Sequence, residues 1–78
     1  MKFVMFATAH PERYSDLFQM IRKMRIPDGI KVIQRLEIFG KPDVVVVFEA
    51  RDEKVATDFV KQFGSVGEVT TLLAMDVR

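Results

Sequence analysis

Four valines and a phenylalanine in succession, residues 44–48, limit the fold more than any other segment of this sequence. β-Branched and aromatic side chains favour strands, and a strand that is apolar at every position has to be covered on both faces. Residues 40–43, Gly-Lys-Pro-Asp, are typical of a turn. Residues 30–39 alternate apolar and polar side chains, as an edge strand does. The segment therefore predicts a hairpin with an exposed first arm and a buried second arm.

Two amphipathic helices are predicted, one on each side of this hairpin. Pro11 fits the first position of a helix, where its missing N–H is harmless, and apolar residues recur at helical spacing as far as Met24. Asp52 is the predicted N-cap of the second helix. Its apolar face runs from Val55 to Phe63, and Gly64 is expected to end it.

Two more strands complete the predicted elements: the apolar residues 2–9 and the alternating residues 69–77. The order β-α-β-β-α-β over a single domain, residues 1–78, is that of ferredoxin-like α+β domains. Right-handed crossovers place both helices on one face of a four-stranded antiparallel sheet with strand order 4-1-3-2. The first and third strands are then central, which agrees with their being apolar on both sides.

The sheet face without helices is predicted to be the interface of a symmetric dimer that closes sheet to sheet. Monomers seldom expose a large apolar patch, and two-fold dimers are the commonest assembly. Strict alternation turns Val32, Leu36 and Ile38 toward the helices. Arg35 and Glu37 are expected to pair across the dimer or at its rim. An edge-to-edge or higher assembly is the alternative. The predicted interface residues are Val4, Phe6, Ile33, Arg35, Glu37, Phe39, Val45, Val47, Leu72 and Ala74.

Two segments resemble the GYD-domain family. Residues 40–50, GKPDVVVVFEA, are similar to its Gly-Tyr-Asp strand region, and residues 63–71, FGSVGEVTT, to its glycine-bracketed entry to the last strand. The resemblance implies the dimeric α+β barrel superfamily, whose members form sheet-to-sheet dimers and differ widely in chemistry. Lys41 and Pro42 stand where the family has its Tyr, so no role of that ring carries over to this chain.

His10 and Tyr14 are the candidate catalytic residues. His10 is the one imidazole of the chain and ends the first strand, and Tyr14 follows one helical turn later. In a cleft between helix and sheet the two would act as acid and base on a small aromatic or keto substrate, as in monooxygenases and isomerases that this architecture resembles. The competing interpretation is that His10 is a solvated N-terminal cap and that Tyr14 is a core residue with its hydroxyl at the surface.

No metal or cofactor is expected. One His with Glu12 and Asp16 nearby does not supply a ligand set. The absence of cysteine excludes disulfides, cysteine-based zinc sites and a thiol nucleophile. Residues 64–67, Gly-Ser-Val-Gly, lack the spacing of a phosphate-binding loop and follow a helix instead of preceding one.

Nucleic acid and membrane are not expected partners either. Twelve Lys and Arg against eleven Asp and Glu give a formal charge of +1, whereas domains that bind the phosphate backbone usually carry a large basic excess. The third strand has only Phe48 where RNA-recognition modules present stacking aromatics. No apolar run is long enough to span a bilayer. Residues 2–9 read as a mature strand and not as a signal peptide, which predicts a cytoplasmic protein.

Three classes of function remain at this point. The favoured one is a non-catalytic homodimeric barrel that binds a small apolar or aromatic ligand or serves as a structural partner. The second is a small enzyme that uses His10 and Tyr14. The third is a regulatory module resembling ACT domains, which share the element order and bind amino acids between subunits.

Overall fold

Strands and helices follow one another in the predicted order. The computed structural model describes residues 1–78. The elements are β1 (Lys2–Ala9), α1 (Tyr14–Arg22), β2 (Ile30–Glu37), β3 (Val44–Ala50), α2 (Glu53–Val60), a 3₁₀ turn over Lys61–Phe63, and β4 (Gly67–Ala74).

The four strands form one antiparallel sheet in the order β2-β3-β1-β4. This confirms the ferredoxin-like arrangement, with β1 and β3 in the centre. The β1–β3 register sets Phe3 opposite Phe48 and Met5 opposite Val46, and all four side chains are buried. They form one core with the buried residues of both helices, so both helices cover the same face of the sheet.

Phe48 lies at the centre of this core. Its ring stacks on Phe3 at a centroid distance of 5.5 Å and meets the ring of Phe59 edge to face at 4.9 Å. Phe59 in turn meets Phe63 edge to face at 6.0 Å. Aromatic pairs in these geometries add stabilisation beyond the burial of their area. The aromatic chain therefore fastens β1 and β3 to α2 and to the turn that follows it.

The first helix begins later than the sequence predicts. α1 starts at Tyr14, because Glu12 has a φ of +67°, a left-handed conformation that a right-handed helix cannot contain. Pro11 therefore lies in a turn before the helix, where the N–H of Arg13 donates to the carbonyl of His10 at 2.9 Å. The prediction of Pro11 as the first helical residue is wrong.

The second helix begins as predicted. The side chain of Asp52 accepts a hydrogen bond of 2.9 Å from the N–H of Val55, which confirms it as the N-cap. Gly64 has a φ of −65°, so it does not form a left-handed C-cap, and the helix instead tightens into the 3₁₀ turn. The glycine that packing demands is Gly67, since a Cβ there would lie 2.5 Å from the carbonyl oxygen of Thr8.

A β-bulge interrupts the pairing of β2 with β3. Val32 pairs with Phe48, but the next paired residue is Gln34, opposite Val47, and Ile33 is the extra residue. An inserted residue turns every later side chain of the strand to the other face. Leu36, predicted to face the helices, therefore shares the opposite face with its partner Val45.

The same bulge corrects the prediction for two charged residues. Arg35 pairs with Val46 and Glu37 with Val44, and both valines face the helices. Arg35 and Glu37 thus lie on the helix side of β2 and are not members of the opposite face. A simple alternation over residues 30–39 could not reveal this, because the bulge leaves the sequence pattern unchanged.

Candidate functional site

The sheet face opposite the helices, here called the open face, has an apolar centre. The register places Val4 between Val47 and Leu72, and Phe6 beside Val45. No helix covers these side chains; the residues of the central strands are half-buried by their neighbours within the sheet, and Leu72 on β4 is 54% exposed. The apolar residues of the open face are Val4, Phe6, Leu36, Val45, Val47, Leu72 and Ala74.

Charged residues of the open face lie at the ends of the strands. Lys2 and Lys31 both pair with Glu49 at one end, and Glu68 lies at the other end, opposite Thr8. An apolar centre surrounded by a polar rim is the usual anatomy of a protein–protein interface. The open face therefore has the composition of a docking surface.

Six of the ten predicted interface residues lie on the open face, namely Val4, Phe6, Val45, Val47, Leu72 and Ala74. Ile33 is the bulge residue and is exposed. Phe39 lies after the end of β2, in the connection to β3, and its ring is fully exposed. Arg35 and Glu37 are on the helix side, as described above. That a second copy covers this face stays a prediction.

Arg35 and Glu37 fasten the edge strand β2 to α1. Glu37 accepts two hydrogen bonds from Arg22, of 2.7 and 2.8 Å, and Arg35 donates to the carbonyl of Ile21 at 3.3 Å. The hydrogen bonds from Arg22, together with its charge, hold the pKa of Glu37 below its usual value. Arg35 and Glu37, which were expected to pair across the dimer or at its rim, thus make these polar contacts within the chain.

His10 and Tyr14 line one surface depression of about 450 Å³ at the end of the sheet, together with Lys41 and Glu68. The backbone of His10 is held by a hydrogen bond from its N–H to the carbonyl of Val66 at 2.9 Å. Both side chains are exposed, and neither makes a hydrogen bond. The structure brings the two predicted residues to the same depression without a third group that orients either ring.

Asp43 is a buried carboxylate that sequence reasoning assigned only to a turn. It is 4% exposed, and its Oδ2 accepts a hydrogen bond of 2.8 Å from the N–H of Ala9, next to His10. Its own N–H donates to the carbonyl of Ala7, and its carbonyl accepts from Ile38. Asp43 thereby ties the β2–β3 connection to the end of β1. It also borders a second depression of about 380 Å³, which Tyr14, Phe18 and Lys41 share.

Lys41 is the cation common to both depressions, and it forms no ion pair within the chain. The rings of Tyr14 and Phe18 lie 6.2 Å apart beside it. A planar anion would find an ammonium group and an aromatic surface there. No cluster of three or more His, Cys, Asp or Glu side chains suited to a metal occurs in the structure. None of the helices has the length and apolarity needed to cross a membrane.

Comparison with known proteins agrees with this fold. The family described as "Domain of unknown function (DUF3303)" matches residues 1–78. Among solved structures, LrpC of B. subtilis is similar, with a TM-score of 0.70 and 14% sequence identity. The alignment covers 99% of this chain and 54% of LrpC, so the chain spans about half the length of that protein. At this identity the likeness shows the fold alone. Comparison with curated proteins gave no match.

Proposed function

Since the chain belongs to the DUF3303 family, whose description assigns no function, we propose a function from the surface that the fold leaves bare. The protein is a homodimeric, non-catalytic domain that closes through its open face. The observation that carries this proposal is the apolar centre, which continues across all four strands. Two such sheets would enclose an interior in which a small apolar or aromatic ligand finds suitable surroundings.

The size of the open face supports a stable dimer. Four strands about 4.8 Å apart and about 8 residues long at ~3.3 Å each give roughly 500 Å² per copy in projection. Because side chains project from the sheet, the accessible area is larger than this projection. It approaches the ~800 Å² per partner of standard interfaces.

The charges of the chain favour a second copy as the occupant. Lys2 forms an ion pair with Asp76, and Lys31 has Glu49 as its cross-strand neighbour, so each cation at this end has a carboxylate of the same chain beside it. The apolar centre carries no charge that would be desolvated without a partner. A formal charge of +1 leaves two copies with little mutual repulsion. This near-neutral charge also supports the proposal that nucleic acid is not a partner.

The resemblance of residues 40–50 and 63–71 to the GYD-domain family supports the same proposal. It implies the dimeric α+β barrel superfamily, in which two sheets pack face to face. The present fold has the element order and sheet order that such a dimer requires. Kinship with the GYD-domain family is part of the proposal.

Sedimentation velocity of three proteins tests the proposal. Val47 lies at the centre of the open face, beside Val4 and Gln34. We expect the wild type at ~10 μM, a concentration well above the dissociation constant of an ordinary stable dimer, to sediment with twice the chain mass of 9.0 kDa. Val47→Glu is expected to sediment as a monomer, because dimerisation would bury an unpaired carboxylate.

Gln19→Glu is the matched control, since it adds the same charge at an exposed position of α1. It is expected to sediment as the wild type does. Far-UV circular dichroism establishes that all three proteins fold. A folded wild type that sediments as a monomer, or a Val47→Glu variant that remains dimeric, contradicts the proposal.

A second candidate function is binding or turnover of a small anionic aromatic compound at the depressions around Tyr14. The observation that favours it is that His10, Tyr14 and Lys41 line one surface depression and that Tyr14 and Lys41 also line a second. His10 would exchange a proton with the ligand, and Lys41 would hold its negative charge. The regulatory alternative places an amino acid in the same region, with its carboxylate on Lys41 and its ammonium group on Glu68.

Ligand-dependent thermal stabilisation separates these candidates. A panel of aromatic carboxylates and a panel of amino acids are each titrated while the melting temperature is measured, since a bound ligand stabilises the folded state. The enzyme candidate predicts stabilisation by aromatic acids that is lost in His10→Ala and in Lys41→Ala. The regulatory candidate predicts stabilisation by amino acids. If neither panel raises the melting temperature, both candidates are contradicted, and the homodimeric domain binds no ligand of these classes at the depressions.

A further inference from the structure

The two edges of the sheet are unequally protected against pairing with another strand. The edge strand β2 carries a bulge at Ile33 and three charged residues, and both features hinder edge pairing. The other edge strand, β4, keeps one register with β1 over its whole length, Gly67–Ala74. It contains no proline, and Glu68 is its one charged residue. A long, regular edge of this kind is a template for a further strand.

The hydrogen-bonding direction of each β4 residue follows from the register. His10 donates to the carbonyl of Val66, which identifies the pair formed by these two residues as hydrogen-bonded. Hydrogen-bonded and non-bonded pairs alternate along an antiparallel ladder. The backbone groups of Glu68, Thr70 and Leu72 therefore point toward β1. The N–H and C=O groups of the alternate residues point away from the sheet, namely those of Gly67, Val69, Thr71 and Leu73.

Along this edge, one buried side chain lacks a hydrogen-bond partner and another side chain is largely exposed. The hydroxyl of Thr71 is buried and makes no hydrogen bond, the one such side-chain atom in the structure. A buried polar group without a partner calls for an explanation. Thr71 and Leu73 line a cavity of about 220 Å³ between β4 and α2. Leu73 is 55% exposed although it lies on the helix side, opposite Phe3.

We propose that β4 pairs with β4 of a second copy, antiparallel and about a two-fold axis at Thr71, so that the two sheets join into one. The axis has to pass through a residue and not between two residues, because outward groups can bond only to outward groups. Thr70 and Thr71 lie equally near the middle of β4, and the axis is placed at Thr71 because the unbonded hydroxyl groups of the two copies then become neighbours. Val69 of one copy then pairs with Leu73 of the other.

This pairing accounts for each unsatisfied feature of the edge. It forms about six backbone hydrogen bonds from groups that otherwise face solvent. The two Thr71 side chains become direct cross-strand neighbours, and paired threonines hydrogen-bond to each other across strands. Val69 of the second copy covers the exposed side of Leu73 and closes the cavity beside it. The occupant is a second copy because β4 is complementary to itself in this register.

The edge contact uses a surface different from the open face, so the two contacts form and fail independently. An edge pairing buries little apolar area, and we expect it in the range of ~0.1–1 mM, weaker than the open-face dimer. At such concentrations the wild type associates beyond the dimer. The Val47→Glu variant, blocked at the open face, associates only to pairs through β4.

Amide hydrogen exchange measured by NMR at low and at high protein concentration tests the edge contact. We expect the amides of Val69, Thr71 and Leu73 to exchange at least about tenfold more slowly at high concentration, since pairing gives them hydrogen-bond acceptors. The amides of Glu68, Thr70 and Leu72 are the internal control. They are bonded to β1 in every state, and their exchange is expected to depend far less on concentration.

Thr71→Pro removes an outward N–H and leaves the bonds to β1 intact, so it is expected to abolish concentration-dependent association beyond the dimer. Leu73→Lys, at an exposed position, serves the same purpose if the proline variant does not fold, and Gln19→Lys on α1 is its matched control. Exchange of Val69, Thr71 and Leu73 that is independent of concentration overturns the proposal. Association of both edge variants as in the wild type overturns it equally, whatever the state of the open face.

Discussion

The two faces of the sheet are built from the same residue types and differ in what covers them. Along β3, Val44 and Val46 point toward the helices and are fully buried, whereas Val45 and Val47 point to the open face and are half-buried. The central strands are thus apolar on both sides, but the chain supplies helices for one side only. The difference shows that the sequence makes both faces of the sheet apolar, whereas the helices of the chain cover only one of them.

The largest expected effect comes from the covered face. Phe48→Ala removes a fully buried ring that packs on Phe3 and Phe59, and it should lower the free energy of unfolding by about 3–5 kcal/mol. Urea denaturation at fixed protein concentration measures this loss. Val47→Ala, the adjacent position on the open face, serves as the comparison and should cost less. Equal losses for the two variants would mean that the faces do not differ as described.

The next largest effect distinguishes Leu36 from Arg35, two adjacent residues of β2 that lie on opposite faces of the sheet. Leu36→Glu places a charge on the open face and should halve the sedimenting mass at micromolar concentration, because Leu36 pairs with Val45. Arg35→Glu lies on the helix side beside Ile21 and should leave the mass unchanged, with a modest loss of stability of about 1 kcal/mol. If Arg35→Glu halves the mass and Leu36→Glu does not, β2 alternates strictly and the bulge at Ile33 is wrong.

The smallest effect concerns acid sensitivity at the helix side of β2. Arg22 lowers the pKa of Glu37 in the folded state. The ion pair therefore stabilises the fold above the ordinary carboxyl value of 4.5, and this contribution is lost as the pH falls through the lowered pKa of the folded state. Glu37→Gln should flatten the decline of the urea midpoint in acid, whereas Glu53→Gln, outside this pair, should not. An identical pH profile for Glu37→Gln and the wild type would contradict this role.

Much of the fold follows from hydrophobic period alone. The run at residues 44–48 and the apolar residues 2–9 predict two central strands, and Asp52 marks the start of α2. Right-handed crossovers then leave one sheet order, and the structure has it. These features are predictable because each is fixed by local pattern or by a general rule of chain connection.

Two of the features that escaped prediction depend on contacts distant in sequence, and a third depends on a local backbone conformation. The bulge at Ile33 leaves the alternation of β2 unchanged, yet it exchanges the faces of Leu36 and Glu37. Asp43 looks like a turn residue until the end of β1 is placed beside it. The late start of α1 follows from the backbone of Glu12, at a residue type that gives no warning of a left-handed conformation.

The most direct test of the central claim is an isotope-filtered NOE experiment on a mixture of ¹³C-labelled and unlabelled protein. Such an experiment detects only contacts between different copies of the chain. The account predicts intermolecular NOEs at the methyl groups of Val45 and Val47 and none at those of Val44 and Val46, which lie in the buried core. Intermolecular NOEs that are absent from Val45 and Val47 in a folded sample would contradict it.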